Sequence, residues 1–475
     1  MIETQQLRQM GRTPPLPLTV KLDNDSELIV SHWLRILPGK RFVGQAEVDG
    51  CAVLAKLFVA PGADRHFDRE IRGIQLLIAA QIGTPAIVGR GRVPGGGYYL
   101  LTEFMGDAQS LSEEWNRLEH NSPDSAAAVS LLTKALACIG AMHAKGLAQQ
   151  DLHLGNFLLH DDVLYVVDGD AVENQGAGGP LSADQAEANL GIFFAQLGTR
   201  WDDARDCLLV SYLQTNPHQA ISPENIALRV AKVRRKRLSD YLGKSLRDCS
   251  QFSVEQNWSR FLTVLRSEAV SLTSIINDPD GVFQPGKLLK DGGSSTVALV
   301  ENDYRSLVVK RYNIKDVGHW LTRFWRPSRA WHSWLAAHRL QFLEIPTPKP
   351  LAMMERRFGP LRHTAWLVTE YCPGPTLLNH LGEGTKPPDS TTATALLRVF
   401  NQLVSARISH GDCKATNFIW RDGEIVLIDL DAMQVHWNER KWRSAWEKDR
   451  ARFIRNWPDG SPLAKWLDDN LPLQS

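Results

Sequence analysis

Cysteine is scarce in this chain and scattered. The six residues, at 51, 138, 207, 249, 372 and 413, form no Cys-x-x-Cys pair. That argues against a disulfide framework or a cysteine zinc site and suits a reducing compartment. No uncharged apolar run reaches the length of a bilayer span. The first twenty residues carry Pro14, Pro15 and Pro17 and lack the apolar core of a secretory signal. Charge of one sign is missing too: 54 Lys and Arg against 53 Asp and Glu leave a net charge of +1. The whole molecule therefore gives no case for nucleic acid as a partner, and any basic function is local. The expected location is the cytoplasm, with peripheral attachment to the cytosolic face of a membrane as the variant.

What is present is a globular composition, 43% hydrophobic and 23% charged, over 475 residues. That length predicts two or three domains. One stretch organises the rest: His410-Gly-Asp412-Cys-Lys414-Ala-Thr-Asn417, then Glu424-Ile-Val-Leu-Ile-Asp429-Leu-Asp431. It reads as a loop, a hairpin and a terminal carboxylate. Phosphoryl transfer needs a carboxylate to orient and deprotonate the attacking hydroxyl, and an amide plus a second carboxylate to hold magnesium. A hairpin with these groups at its ends fixes their geometry. An upstream partner reads Gln149-Gln-Asp151-Leu-His153-Leu-Gly-Asn156, then Val163-Leu-Tyr-Val-Val-Asp168-Gly-Asp170. Both copies have Asp-x4-Asn, and in both the second Asp follows the first by 17 residues. Two copies at one spacing predict an internal repeat of kinase-like domains.

In chain order, residues 1–25 read as a disordered lead-in. Residues 31–58 alternate as an antiparallel meander ending in Val53-Leu-Ala-Lys56-Leu-Phe. A lysine inside an apolar strand calls for an anion, here the nucleotide phosphates and Glu70 on a predicted helix over 66–79. No clean Gly-rich loop precedes Lys56. Tyr98 to Phe104, with Glu103, is a strand running into a hinge, and 126–145 is helical. The basic run 229–237 reads either as a solvated helix face or as a patch for a phosphate-rich or anionic-lipid surface. The linker is expected at 266–282, giving domains over 26–265 and 283–475. In the second, Gly292, Gly293 and Ser294 read as a hairpin turn or a backbone cradle for phosphates; their place ahead of Lys310 favours the cradle. The aromatic and basic stretch 318–340 fits core packing or a membrane-interface face. Thr369-Glu370-Tyr371 repeats the hinge, and 437–457 is a terminal helix.

The copies align without gaps through Thr84-Pro85 and Thr347-Pro348, which sets Ser333 where the first has Glu70. The second copy thus lacks the glutamate expected beside Lys310, and which copy is active stays open. Lys414 stands two residues after Asp412, within reach of a transferred phosphate; His153 holds that place in the first copy.

The chain resembles the bacterial lipopolysaccharide kinase superfamily (WaaP, InaA and Kdo-kinase types), duplicated in tandem. The residues that carry this are Leu37-Pro-Gly-Lys-Arg41, Ala55-Lys56-Leu-Phe, Arg69-Glu70, Asp151 to Asn156 and Asp168-Gly-Asp170-Ala, then Thr347-Pro348, His410 to Phe418 and Ile428 to Met433. The resemblance implies an α+β chain of two protein-kinase-like domains, each an antiparallel-sheet N-lobe with a mainly helical C-lobe. It implies an ATP- and magnesium-dependent kinase acting on a heptose or Kdo of the lipid-linked core oligosaccharide. Asp151 and Asp412 would be catalytic bases, Asn156 with Asp168 and Asn417 with Asp429 magnesium ligands, and Lys56 and Lys310 phosphate ligands. Three alternatives stand beside it. A pseudokinase scaffold is motivated by Ser333. A small-molecule kinase of the aminoglycoside or choline type has a similar Asp151 to Asn156 loop. A protein Ser/Thr kinase is disfavoured because Asp-Gly-Asp and Asp-Leu-Asp stand where such enzymes carry Asp-Phe-Gly.

Overall fold

The computed structural model describes residues 3–118, 122–176, 178–284, 286–302, 305–313 and 326–473. The chain is mixed α and β and divides into two compact units, Met1–Arg235 and Lys236–Ser475.

The first unit opens with helix α1 (Thr4–Gln9) and a six-stranded antiparallel sheet. Its strands are β1 (Leu18–Lys21), β2 (Glu27–Leu37), β3 (Arg41–Val48), β4 (Cys51–Phe58), β5 (Ile87–Val93) and β6 (Gly97–Glu103), in the order β1-β2-β3-β4-β6-β5. Alternation along β4 buries Val53, Ala55 and Leu57 on one face, and the two-residue period turns Lys56 to the other. Helix α2 (Asp64–Ala79) buries Phe67, Glu70, Ile71, Ile74 and Leu77, an apolar stripe with one carboxylate set in it. Helices follow, centred on Ala126–Ala144. Among the described residues this is the one helix long and apolar enough to cross a bilayer by length and composition. Its Leu132, Ala135, Leu136 and Ile139 are buried in the core of this unit.

The second unit has a seven-stranded antiparallel sheet among the described residues. The order is Phe252–Gln256, Arg260–Leu265, Pro350–Phe358, Leu361–Glu370, Arg305–Tyr312, Ser295–Asn302, Lys287–Gly292. Read from Lys287–Gly292, the first five strands repeat the order β2-β3-β4-β6-β5, with a helix, Arg329–Phe342, again after the third. The units differ at opposite edges: β1 is added beside β2 in one, and two strands beside Pro350–Phe358 in the other.

Three expected boundaries are corrected. The expected disordered lead-in is ordered over residues 3–25, where Leu7, Leu18, Val20 and Leu22 are buried in the core of the first sheet. The prolines there precede an edge strand, where a missing N–H is harmless. Residues 252–265 belong to the second unit, since Arg260–Leu265 pairs with Pro350–Phe358. The expected linker contains the helix Thr273–Asn277 and buries Leu272, Ile275 and Ile276.

The aromatic stretch also resolves in part. Trp320, Arg323, Phe324 and Trp325 lie outside the described residues. Trp334 is fully buried against Phe252 and His338, and Trp331 packs on Phe261 under the Arg357 and Arg362 guanidinium groups. Trp442, Trp446 and Trp457 are buried as well. Four of these five are core residues, and Trp331 packs half-buried against the core. In the basic run, Arg229 and Arg234 pair with Asp184 and Asp202.

Candidate active sites

In the first unit Lys56 meets Glu70, with Nζ 2.5 Å from Oε1. The carboxylate, 1% exposed, also accepts from the backbone N–H groups of Gly169 at 3.0 Å and Asp170 at 3.3 Å. A buried charge persists only when paired in this way. Helix α2 comes so close here that a Cβ on Gly73 would lie 1.9 Å from the Gly169 carbonyl oxygen. Lys56 Nζ stands 3.5 Å from Asp168. Burial pushes the Asp168 carboxyl up, but Lys56, Arg41 and Arg35 outweigh it and hold the group below its ordinary value. Asp170 pairs instead with Arg69 at 3.1 Å and His66 at 3.2 Å, with Arg41 at 3.9 Å.

The second unit solves the same problem with different atoms. Ser333 sits on its helix at the place of Glu70 and carries no charge. Lys310 Nζ instead lies 2.5 Å from Asp429 and 2.9 Å from Asp431. The other oxygen of Asp431 accepts from the hydroxyls of Tyr312 and Ser333, both at 2.8 Å. Burial raises the Asp429 pKa, but the charge and hydrogen bond of Lys310, with Lys290 and His410, bring it below the ordinary value. Lys310, Asn417, Asp429, Asp431 and Glu370 line one cleft of about 570 Å³, walled by Val297, Val308, Leu367 and Ile419.

The two loops share a frame. Asn156 Nδ2 donates to the Asp151 carbonyl at 2.7 Å, and Asn417 Nδ2 to the Asp412 carbonyl at 2.9 Å. Gln149 and His410, two residues before each Asp, contact the carbonyls of Val167 and Ile428 at 3.0 Å. Thr347 stands against the Leu427 carbonyl at the foot of its hairpin. Asp168 and Asp429 both adopt left-handed backbone, at φ +67° and +58°. The hairpin-turn residues Asp161 and Asp422 share left-handed backbone in the same matched way.

The loops then diverge. Asp151 is 76% exposed, with His153 at 3.9 Å. Asp412 is 29% exposed and is held by Arg452 at 2.5 Å and Lys414 at 3.3 Å. Arg452 belongs to the helix Glu439–Ile454, which also supplies Asp449 and is followed by a further helix, Pro462–Asn470, so the expected terminal helix is not the last. The Asp449 carboxylate accepts from the backbone N–H groups of His410 at 2.5 Å and Gly411 at 3.1 Å. Burial raises its pKa, partly offset by those N–H groups and by His410. Gly411, at φ +78°, is backed by Ala432, whose carbonyl would lie 2.4 Å from a Cβ. In the first unit the matching helix is Ala183–Phe194, where Asn189 donates to the Gln149 carbonyl. Counting on from Asn189 and Asp449 puts Ile192 where the second unit has Arg452.

Of the remaining expected residues, Glu103 is exposed at the end of β6. Gly292, Gly293 and Ser294 form a tight turn, with Gly292 paired to Ser295. The carbonyls of Gly292 and Ser294 accept from Asn313, and that of Ser294 also from Arg329. Arg452, Asp449, Tyr312 and the clamping role of Asp431 were not read from the sequence. Only Asp431 left a trace there, as the repeated Asp-x-Asp.

No curated sequence matches the chain. Two solved structures that match are one described as WaaP in complex with acyl carrier protein and one of vaccinia related kinase 3. The first is 20% identical, with a TM-score of 0.33, over 44% of this chain and 88% of that one. The second is 10% identical, with a TM-score of 0.29, over 53% and 81%. Residues 292–456 match the model of the lipopolysaccharide kinase (Kdo/WaaP) family. Over that span the resemblance carried by the motifs holds: the second half of the chain is similar to a family of kinases, phosphotransferases with an alcohol group as acceptor.

Proposed function

We propose that the chain is an ATP- and magnesium-dependent kinase that phosphorylates a heptose or Kdo of the lipopolysaccharide core. In this reading it is built as two kinase-like domains in tandem, and transfer takes place in the second. The observation that carries it is that the family match falls on the unit whose cleft gathers Lys310, Asn417 and Asp429 beside Asp412. Asp412 would orient the acceptor hydroxyl and take its proton, held in place by Arg452 and Lys414. Lys310 would bind the nucleotide phosphates, and Lys414 would reach the transferred group. Glu370, which lines the cleft, would mark its hinge end, and Glu103 would hold the same place in the first unit.

The residues fit a magnesium ion. Each loop asparagine spends its Nδ2 on an aspartate carbonyl, so its amide oxygen is the ligand it would offer, together with the Asp168 or Asp429 carboxylate. Such an all-oxygen set suits a hard cation whose remaining ligands are phosphates and water. Magnesium would neutralise charge on the phosphates. The acceptor would be lipid-linked core oligosaccharide at the cytosolic face of a membrane, with the basic run 229–237 as the contact for anionic lipid. Nucleic acid has no part in this reading.

Phosphate transfer from radiolabelled ATP to dephosphorylated core lipopolysaccharide tests it. Wild type, Asp151→Asn, Asp412→Asn and the double variant should show transfer lost with Asp412 and retained with Asp151. No transfer by wild type would refute the reading. A second reading, that the first unit is a nucleotide-binding module that transfers nothing, is favoured by the exposure of Asp151 and by Ile192 in place of an arginine. Loss of transfer in Asp151→Asn alone would refute it.

A further inference from the structure

Asp-x-Asp occurs twice, and its second aspartate does two different things. Asp170 faces Arg69 and His66 and leaves Lys56 to the helix glutamate. Asp431 turns inward, with Oδ2 2.9 Å from Lys310 Nζ. Its Oδ1 is held by the hydroxyls of Tyr312 and Ser333 at 2.8 Å. Two further positions change with it. Phe58, two residues after Lys56, becomes Tyr312, two residues after Lys310, and Glu70 becomes Ser333. Both replacements bring a hydroxyl where the first unit has an apolar ring or a carboxylate, and both hydroxyls meet Asp431. Burial, followed by the Asp431 charge, keeps the Tyr312 hydroxyl protonated, so it remains a donor.

We propose that Asp431 is the positioning residue that aims Lys310 at the nucleotide phosphates in the second unit. It takes over the work of the helix glutamate, with Tyr312 and Ser333 fixing its orientation. The loss of glutamate at 333 is then a relocation of the carboxylate rather than a lesion. One consequence is that Asp429 and Asp431, on one short turn, both contact the lysine. The lysine clamp and the carboxylate beside Asn417 are set by the same piece of backbone. The assignment rests on the reading of the second unit as a nucleotide site.

The test uses full-length chain in a Lys56→Ala background, which removes the corresponding lysine of the first unit. The variants are Asp431→Asn and Asp431→Asn with Ser333→Glu. The first readout is independent of nucleotide: the rate at which acetic anhydride acylates Lys310, followed by mass spectrometry. With one of its two carboxylates removed and Asp429 kept at 2.5 Å, Lys310 should react about fivefold faster in Asp431→Asn, since a nearby opposite charge favours the unreactive protonated amine. It should return toward the starting rate once Ser333→Glu restores a carboxylate on the helix, as at position 70. The second readout is ATP affinity, expected to fall about tenfold or more in Asp431→Asn and to recover in the double variant. A merely structural role for Asp431 predicts no rescue from position 333. An unchanged acylation rate in Asp431→Asn, or no rescue by Ser333→Glu, overturns the proposal. A change in acylation with no ATP bound by any variant leaves the clamp standing and refutes the kinase reading instead.

Discussion

Replacing Asp449 by alanine probes how the helix Glu439–Ile454 holds the His410–Asn417 loop. Asp449 accepts from the His410 N–H at 2.5 Å and the Gly411 N–H at 3.1 Å, and His410 is buried. A buried donor left without an acceptor costs about 1–3 kcal/mol. The His410 N–H would bear this in full; that of Gly411, nearer the surface, in part. Against this, the variant no longer has to desolvate a carboxylate, a penalty visible in the raised pKa of Asp449. The balance is a loss of about 2–4 kcal/mol, against a typical total of about 5–15 kcal/mol. For a unit of this size that is a fall of roughly 4–16 °C in Tm. Because the folded state raises this pKa, the contribution of Asp449 grows as pH falls from the folded pKa toward the ordinary value of 3.8. The gap between wild type and Asp449→Ala should therefore widen on acidification. Scanning calorimetry of the full chain at pH 8 and pH 5 measures both effects. A transition for the second unit within about 1 °C of wild type, or a gap that narrows at pH 5, would refute the reasoning.

Two other substitutions separate position from stability. Arg452→Met should lower kcat for phosphate transfer about 10- to 100-fold, less than the roughly 10²–10⁴-fold that a positioned base supplies, because Asp412 itself stays. Its Tm should hardly move, since the ion pair with Asp412 is 43% and 29% exposed; an unchanged kcat would remove Arg452 from the site. Gly73→Ala would set a Cβ 1.9 Å from the Gly169 carbonyl, where neither backbone can yield cheaply. The expected loss is about 1–3 kcal/mol, with weaker ATP binding in the first unit, and a melting profile like that of wild type would show that the helix retreats freely.

Local pattern carried much of this structure. Alternation over residues 31–58 placed the first meander, because strand period is a property of adjacent residues. The Asp-x4-Asn loops and their hairpins were legible for the same reason: Asn417 bonds the carbonyl of Asp412, five residues away. Counting from the paired threonines put Ser333 in its place. The domain boundary was not legible, since residues 252–265 show a strand pattern but nothing local says that they pair with residues about 90 positions on. The early prolines likewise hid a strand whose order comes from burial against its neighbours.

What the sequence carried by itself was the repeated Asp-x4-Asn and Asp-x-Asp spacing and the gap at position 333. What only the tertiary structure decided was how the gap is filled. Lys310 and Asp431 are 121 positions apart, and Arg452 reaches Asp412 from a helix 40 positions downstream. A charge pair formed by folding leaves no period or spacing in the chain, because only distance in space sets its energy.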